Sequence, residues 1–209
     1  PVGLLVMLIF LWISFREKRG VLLPFSVVVF SMLIAMALIP LMGWKMSIIG
    51  ILIPIMMLAI ANNYGVHFIT RYQELNATRP DMSMKDIVTE VSRYLKKPVL
   101  LTALTTMVGI AGLLAHIIIP ARQMGVVSVV GVAFALLLSL VYIPAMLASM
   151  KKGRIHPGFS PEEHTPFNRL LMLMANFITN RPRQVLFLFL AFLILMAAGI
   201  SRFRIAADY

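Results

Sequence analysis

Long apolar runs that carry no formal charge restrict the fold of this chain more than any other feature. Six such runs occur, and none of them contains Asp, Glu, Lys or Arg. A helix needs about 20 apolar residues to cross a hydrocarbon layer of about 30 Å, and every run except the first meets or nearly meets that length. We therefore predict an all-α polytopic membrane protein. The runs cover residues 1–15, 21–43, 47–70, 98–119, 124–150 and 184–201.

The composition excludes a water-soluble domain. Hydrophobic residues make up 60% of the 209 residues and charged residues only 13%, whereas soluble domains carry about 25% charged residues. The chain has no Cys, so a disulfide framework and a thiolate metal site are excluded. It opens at Pro1 with neither an initiator Met nor a basic region before the first run, which argues against a signal peptide. We expect a piece of a longer protein whose first span is shortened.

Basic residues are distributed unevenly among the connections between the runs. Fifteen Lys and Arg lie in the alternate connections 16–20, 71–97 and 151–183, whereas four lie in the other two connections and the tail. The positive-inside rule therefore places those three connections in the cytoplasm and the amino end outside the cell (inner or plasma) membrane. The same clustering explains the net charge of +11 without a nucleic-acid partner.

Two of the basic connections carry helical patterns. Ser83 followed by Asp86 resembles a capping box and, with apolar residues at helical spacing, predicts a cytoplasmic helix over about 84–97. Pro166 is a favourable first helical residue, and an apolar face recurs at i, i+3, i+4 and i+7 over about 166–179. This second helix either lies in the membrane interface or packs onto the ends of the spans.

The segment 151–163 is rich in Pro, Gly and charged residues. Such a composition is typical of a linker. We place there the boundary between a bundle of residues 1–150 and the part that leads to the span 184–201.

Polar side chains within the spans are functional candidates, because an unpartnered polar group is costly in lipid. Asn63, His67 and Arg71 follow at i, i+4 and i+8 and so share one helix face, and Pro54 before them predicts a kink. The alternative for the Asn and Thr side chains is helix packing with no transport chemistry. For His67, the alternative to a proton carrier is an interfacial residue beside Arg71.

Small and hydroxyl-bearing residues mark the spans 98–119 and 124–150 as packing partners of the span 47–70. We expect these three helices to touch, with Asn62 and Asn63 bonded to the threonines of the span 98–119. Those threonines are Thr102, Thr105 and Thr106. The glycines expected at helix contacts are Gly109, Gly112, Gly125 and Gly131.

The same spans lack the groups that catalysis needs. They hold no carboxylate, no zinc-type pair of histidines and no Gly-rich phosphate loop, which general acid–base, metal and phosphoryl chemistry would use. We therefore expect no enzyme activity, no catalytic residue, no metal site and no cofactor.

Residues 63–68 (Asn-Tyr-Gly-Val-His-Phe) followed by 71–74 (Arg-Tyr-Gln-Glu) resemble the fourth transmembrane helix of resistance-nodulation-division (RND) proteins. The resemblance is closest to the MMPL and hydrophobe-exporter branch, with its Gly-x-Asp-Tyr-x-x-His-Phe and Arg-Tyr-x-Glu patterns. Residues 97–106 resemble the fifth helix and 121–147 the loop and sixth helix. Residues 19–24 resemble the start of the third helix, and 180–183 the run into the seventh.

The resemblance implies helices two to seven of a twelve-helix protein. These are about five helices of a first repeat and the first helix of a second, in an RND-type six-helix bundle. Large extracytoplasmic domains would follow the first and seventh helices, and residues 202–209 would begin the second of them.

One position departs from the family pattern. The family's fourth-helix Asp, part of its proton relay, is matched by Asn63, and an amide cannot take up and release a proton in the physiological range. The resemblance thus implies an exporter of lipids or other hydrophobic molecules, driven by proton flux, with an incomplete relay in this half. The candidate coupling residues are Asn62, Asn63, Tyr64, His67, Thr105 and Thr106.

A lipid sensor or scaffold like the sterol-sensing domains is the alternative function, and related protein-export subunits fit the pattern less closely. The expected partners are membrane lipids, a hydrophobic or lipid substrate, further copies of the chain and accessory periplasmic proteins, but no nucleic acid.

Overall fold

The computed structural model describes residues 2–153 and 166–201, and within these ranges it contains α-helices and no strand, which confirms the predicted all-α class. The tail 202–209 and most of the predicted linker 151–163 lie outside the described residues. The described helices are α1 (Val2–Phe15), α2 (Lys18–Leu41), α3 (Leu52–Thr78), α4 (Met84–Ala111), α5 (Ile119–Leu137), α6 (Ile143–Ser149), α7 (Pro166–Asn180) and α8 (Pro182–Ser201).

Four helical stretches among the described residues are long and apolar enough to cross a membrane, and α7 with α8 would add a fifth if the two count as one bent span. The four are Lys18–Leu41, Leu52–Thr78, Met84–Ala115 and Ile119–Ser149. Helix α1 is equally apolar but has only 14 residues. The chain divides into two compact units, residues 1–161 and 162–209.

The first unit packs α3 between α2, α4 and α5. One close approach of two helix backbones is at Gly65, where an added Cβ atom would lie 2.7 Å from the Cα atom of Pro24 in α2. Because glycine has no side chain, the two helix backbones come together here and bury large neighbours such as Phe68 and Tyr72. Close backbone approach at a small residue is the usual mode of helix association in lipid.

Helix α4 joins two segments that the sequence analysis separated, the helix at 84–97 and the span at 98–119. Its start agrees with the capping-box pattern, since the Asp86 N–H donates to Ser83 Oγ at 3.3 Å. Pro98 lies on the exposed side of the helix, so the chain loses one backbone hydrogen bond there and the helix continues. After Ala111 it tightens into a 3-10 turn, well before the predicted end.

Two prolines lie at changes of helix type. Pro54 is the third residue of α3, directly after the 3-10 helix Ile48–Ile51. In the last predicted first-unit span, a π turn at Leu138–Tyr142 separates α5 from α6. Pro144 follows that turn and cannot donate to the preceding turn of helix, which accounts for the break.

The three basic connections of the first unit meet at one end of the bundle, which we call the basic end (residues 15–20, 71–83 and 151–153). Side chains of α3 make the links. The Gly153 N–H donates to Tyr72 Oη at 3.0 Å, and Asn76 Nδ2 donates to the Gly153 carbonyl at 3.2 Å. Gln73 Nε2 donates to the Phe15 carbonyl at 3.2 Å. These hydrogen bonds bring the three basic segments to the same end of the first unit.

The second unit consists of α7 and α8, which meet at an angle of 94° between Met172–Asn180 and Pro182–Ala197. Pro182 is the first residue of α8, a position that suits proline because its missing N–H is not needed there. Such a bent pair of apolar helices is either a broken span or a re-entrant loop. The side chains described in α7 are exposed.

Candidate functional site

A cleft of about 360 Å³ opens between α3 and α4 of the first unit. It combines an apolar wall with a set of polar side chains, and most of the predicted coupling residues belong to that set. The polar side chains that line it are Asn63, Tyr64, His67, Tyr94, Thr102 and Thr106.

Helix α3 supplies its polar residues from two successive turns. Asn63 and His67 are four residues apart and exposed, whereas Tyr64 is only 3% exposed and turns its ring into the bundle. The Tyr64 hydroxyl lies close to Thr106, but no group in the described chain is placed well enough to complete a hydrogen bond with it. The cleft therefore has a buried hydroxyl on one wall and an amide and an imidazole at its mouth.

The threonines of α4 do not bond to the asparagines of α3 as predicted. Thr102 donates to the Pro98 carbonyl at 2.9 Å, and Thr105 and Thr106 donate within the same helix. A threonine inside a helix readily donates to the carbonyl of the preceding turn, so its one hydroxyl proton is already used. Asn62 Oδ1 is buried without a hydrogen-bond partner among the described residues.

Two predicted coupling residues lie outside the cleft lining. Thr105 is exposed on α4, and Asn62 is half-buried on α3. The predicted polar line from Asn63 through His67 to Arg71 follows the α3 surface. The last residue of this line, Arg71, lies toward the basic end. Its guanidinium carbon lies 4.5 Å from the centre of the Tyr94 ring, and its side chain pairs with Glu74.

The glycines divide into two groups. A Cβ atom added at Gly131 would meet the Met57 side chain and lie 3.0 Å from Ala35 Cβ, and one at Gly125 would lie 3.0 Å from Leu113 Cβ. These two allow α5 to pack closely. Gly109 and Gly112 face open space within the described chain, so they do not have the packing role expected of them there.

The model of the MMPL family matches residues 1–185. The chain belongs to the MMPL family. The match includes every helix of the first unit, α7 and the start of α8, and it confirms the resemblance that the motifs indicated. No curated protein matches the chain.

The departure from the MMPL pattern lies in the cleft itself. Asn63, which the sequence resemblance matches to the acidic residue of the fourth-helix pattern, lines the cleft beside Tyr64 and His67. The His67 imidazole thus lies one helical turn from the Asn63 amide in the same cleft.

Tyr94 and Pro98 are parts of the MMPL cleft that the sequence analysis missed. Tyr94, Pro98, Thr102 and Thr106 follow one another at intervals of four residues and so share one face of a helix. This four-residue spacing is visible in the sequence, but the helix boundary predicted at Pro98 assigned Tyr94 and the other three residues to separate segments.

Proposed function

We propose that this chain is the membrane part of an MMPL transporter that exports lipids or other hydrophobic molecules with energy from proton flux. The observation that carries the proposal is the α3–α4 cleft, because polar side chains gathered at membrane depth mark ion and substrate pathways. Membership of the MMPL family and the apolar helices supply the setting. The proposal involves no catalytic step and no cofactor.

The exposure of Asn63 and His67 supports a proton relay that residues outside this chain complete. Asn63 and His67 are exposed on a helix that otherwise has the hydropathy of a span. Polar groups in that position need a protein partner or water, since lipid tails offer neither hydrogen bonds nor charge. We propose that the second repeat of the full protein covers this face and brings the acidic residue that Asn63 replaces.

We expect substitution of His67 by Gln to lower proton-driven export about tenfold or more, equivalent to about 1.4 kcal/mol of barrier. The physical reason is that the amide keeps hydrogen-bonding capacity but loses the charge change. The measurement uses the full-length protein in proteoliposomes with an imposed pH gradient, a fluorescent phospholipid as cargo and a pH-sensitive dye inside.

His116→Gln is the matched control, because His116 is exposed and lies outside the cleft lining. It should leave both signals unchanged. If His67→Gln exports at the parent rate with the same proton uptake, the relay does not use this cleft. Asn63→Asp should restore an acidic group and shift the pH profile of export.

A lipid-sensing function is the second candidate, and the absence of any carboxylate from the predicted spans favours it. A sensor would bind the fluorescent phospholipid without moving it and without proton uptake. The same proteoliposomes separate the two functions, because only the transporter dissipates the pH gradient when cargo is present.

We also propose that the basic end faces the cytoplasm. The 209 residues contain no Cys, so a cysteine introduced among them has no competing thiol within this segment. A membrane-impermeant maleimide should label Lys45→Cys in intact cells, and Lys18→Cys and Lys96→Cys only after permeabilisation. The parent without the introduced cysteine is the control, and labelling of Lys18→Cys and Lys45→Cys from the same side would contradict the topology.

A further inference from the structure

A second groove, of about 620 Å³, lies between α2 and the α6 end of the α5–α6 helix. It shares no lining residue with the α3–α4 cleft. Its walls are almost wholly apolar along most of its length, and its charged residues lie where it reaches the basic end. This distribution of charge is that of an amphiphile-binding site.

Three cationic side chains line the groove at the basic end, namely Lys18, Arg19 and Lys151. Arg19 donates to the main-chain carbonyl of Lys151, which ties the first turn of α2 to the residues that follow α6. Glu17 Oε1 lies 3.5 Å from Arg19 Nε and neutralises part of that charge. Lys18 and Lys151 are exposed and supply the remaining positive charge of the rim.

The apolar part of the groove has the length of a lipid chain. From Tyr142 to Met150 the helix rises by about 12 Å, close to the roughly 15 Å of one hydrocarbon leaflet. The π turn that ends at Tyr142 places this ring against Phe30, edge to face with 6.0 Å between the ring centres. Met146 and Met150 form the rest of this wall, and their thioether side chains adapt to irregular apolar ligands.

We propose that this groove binds an anionic phospholipid from the leaflet at the basic end. The headgroup phosphate binds the ammonium groups of Lys18 and Lys151, and one acyl chain lies along Leu22, Tyr142 and Met146. The site does not depend on the transport function proposed above, because no group in it belongs to the α3–α4 cleft.

Charge complementarity selects the anionic lipid. A zwitterionic lipid carries its own cation, and repulsion of that cation by the two lysines offsets part of the attraction to its phosphate, whereas phosphatidylglycerol has a net negative charge. Near a membrane surface, each Lys or Arg contributes about fivefold to the affinity for anionic lipid. A free phosphate or headgroup would gain the charge contacts alone and leave the apolar wall uncovered.

Native mass spectrometry of the full-length protein, titrated with phosphatidylglycerol or phosphatidylcholine, tests the site. The parent should retain phosphatidylglycerol in preference to phosphatidylcholine. We expect Lys18→Gln and Lys151→Gln each to weaken phosphatidylglycerol retention about fivefold and the double variant about thirtyfold. Lys45→Gln and Lys85→Gln are the controls, because these exposed lysines do not line the groove.

Met146→Trp adds an independent test, because it fills the apolar wall and leaves the rim intact. It should lower the retention of both lipids, whereas an excess of glycerol 3-phosphate should displace neither. Unchanged phosphatidylglycerol retention in the double lysine variant would overturn the proposal. Displacement by glycerol 3-phosphate would overturn it as well, since it would show an anion site with no lipid chain. Thermal melting of each variant confirms that the fold is kept.

Discussion

Replacing Tyr72 by Ala is expected to lower the free energy of unfolding of the full-length protein by about 3–5 kcal/mol. Tyr72 is 1% exposed and is the largest fully buried side chain described. The substitution leaves a cavity between α3 and its neighbours and removes the partner of the Gly153 N–H. Reversible denaturation in mixed micelles, followed by far-UV circular dichroism, measures the loss.

Two further variants divide that loss between packing and hydrogen bonding. Tyr72→Phe keeps the ring and removes only the hydroxyl, so we expect a decrease of about 1–2 kcal/mol. Tyr94→Ala is the matched control, since Tyr94 is 61% exposed and its ring contacts Arg71; its loss should stay below about 1 kcal/mol. Equal losses for Tyr72→Ala and Tyr94→Ala would show that the basic end is not packed as described.

Gly65→Ala is expected to cost about 1–3 kcal/mol, because the new methyl group overfills the contact between α2 and α3. The added Cβ would lie 2.7 Å from the Cα atom and 2.8 Å from the Cβ atom of Pro24. A backbone atom cannot swing aside as a side chain can, so the two helices must move apart. The same denaturation measurement gives the value.

Gly109→Ala supplies the control for this substitution. A Cβ atom there meets nothing within 4 Å in the described chain, and alanine has the higher helix propensity. We expect no loss, and a gain of up to about 1 kcal/mol. A result in which both alanine variants have the same stability would contradict the close approach of α2 and α3.

The sequence predicts best those features that depend on a single helix or on the bilayer. Apolar runs without charge identify the helices, and Ser83 with Asp86 marks the start of α4, because both signals are local. The shared end of the basic connections follows from charge alone. The residues Asn63, Tyr64 and His67 were found because polar groups are conspicuous in an apolar run.

Features that depend on contacts between helices were predicted less well. Nothing in the sequence indicates that Gln73 and Asn76 are buried, since both follow the apolar run and look like loop residues. Their burial results from the approach of residues 15 and 153, which are distant in the chain. The threonines of α4 were misjudged for the opposite reason, because a local bond to their own helix outcompetes the distant amide.

The two ends of the first unit differ in how firmly they are joined, and this sets how the bundle can deform. At the basic end, α3 is fastened to both flanking segments through Tyr72, Gln73 and Asn76. At the other end, the described side-chain hydrogen bonds are local, such as those at Gly50 and Ile118. We therefore expect any tilting of α3 to pivot near Tyr72, so that its far end is displaced the most.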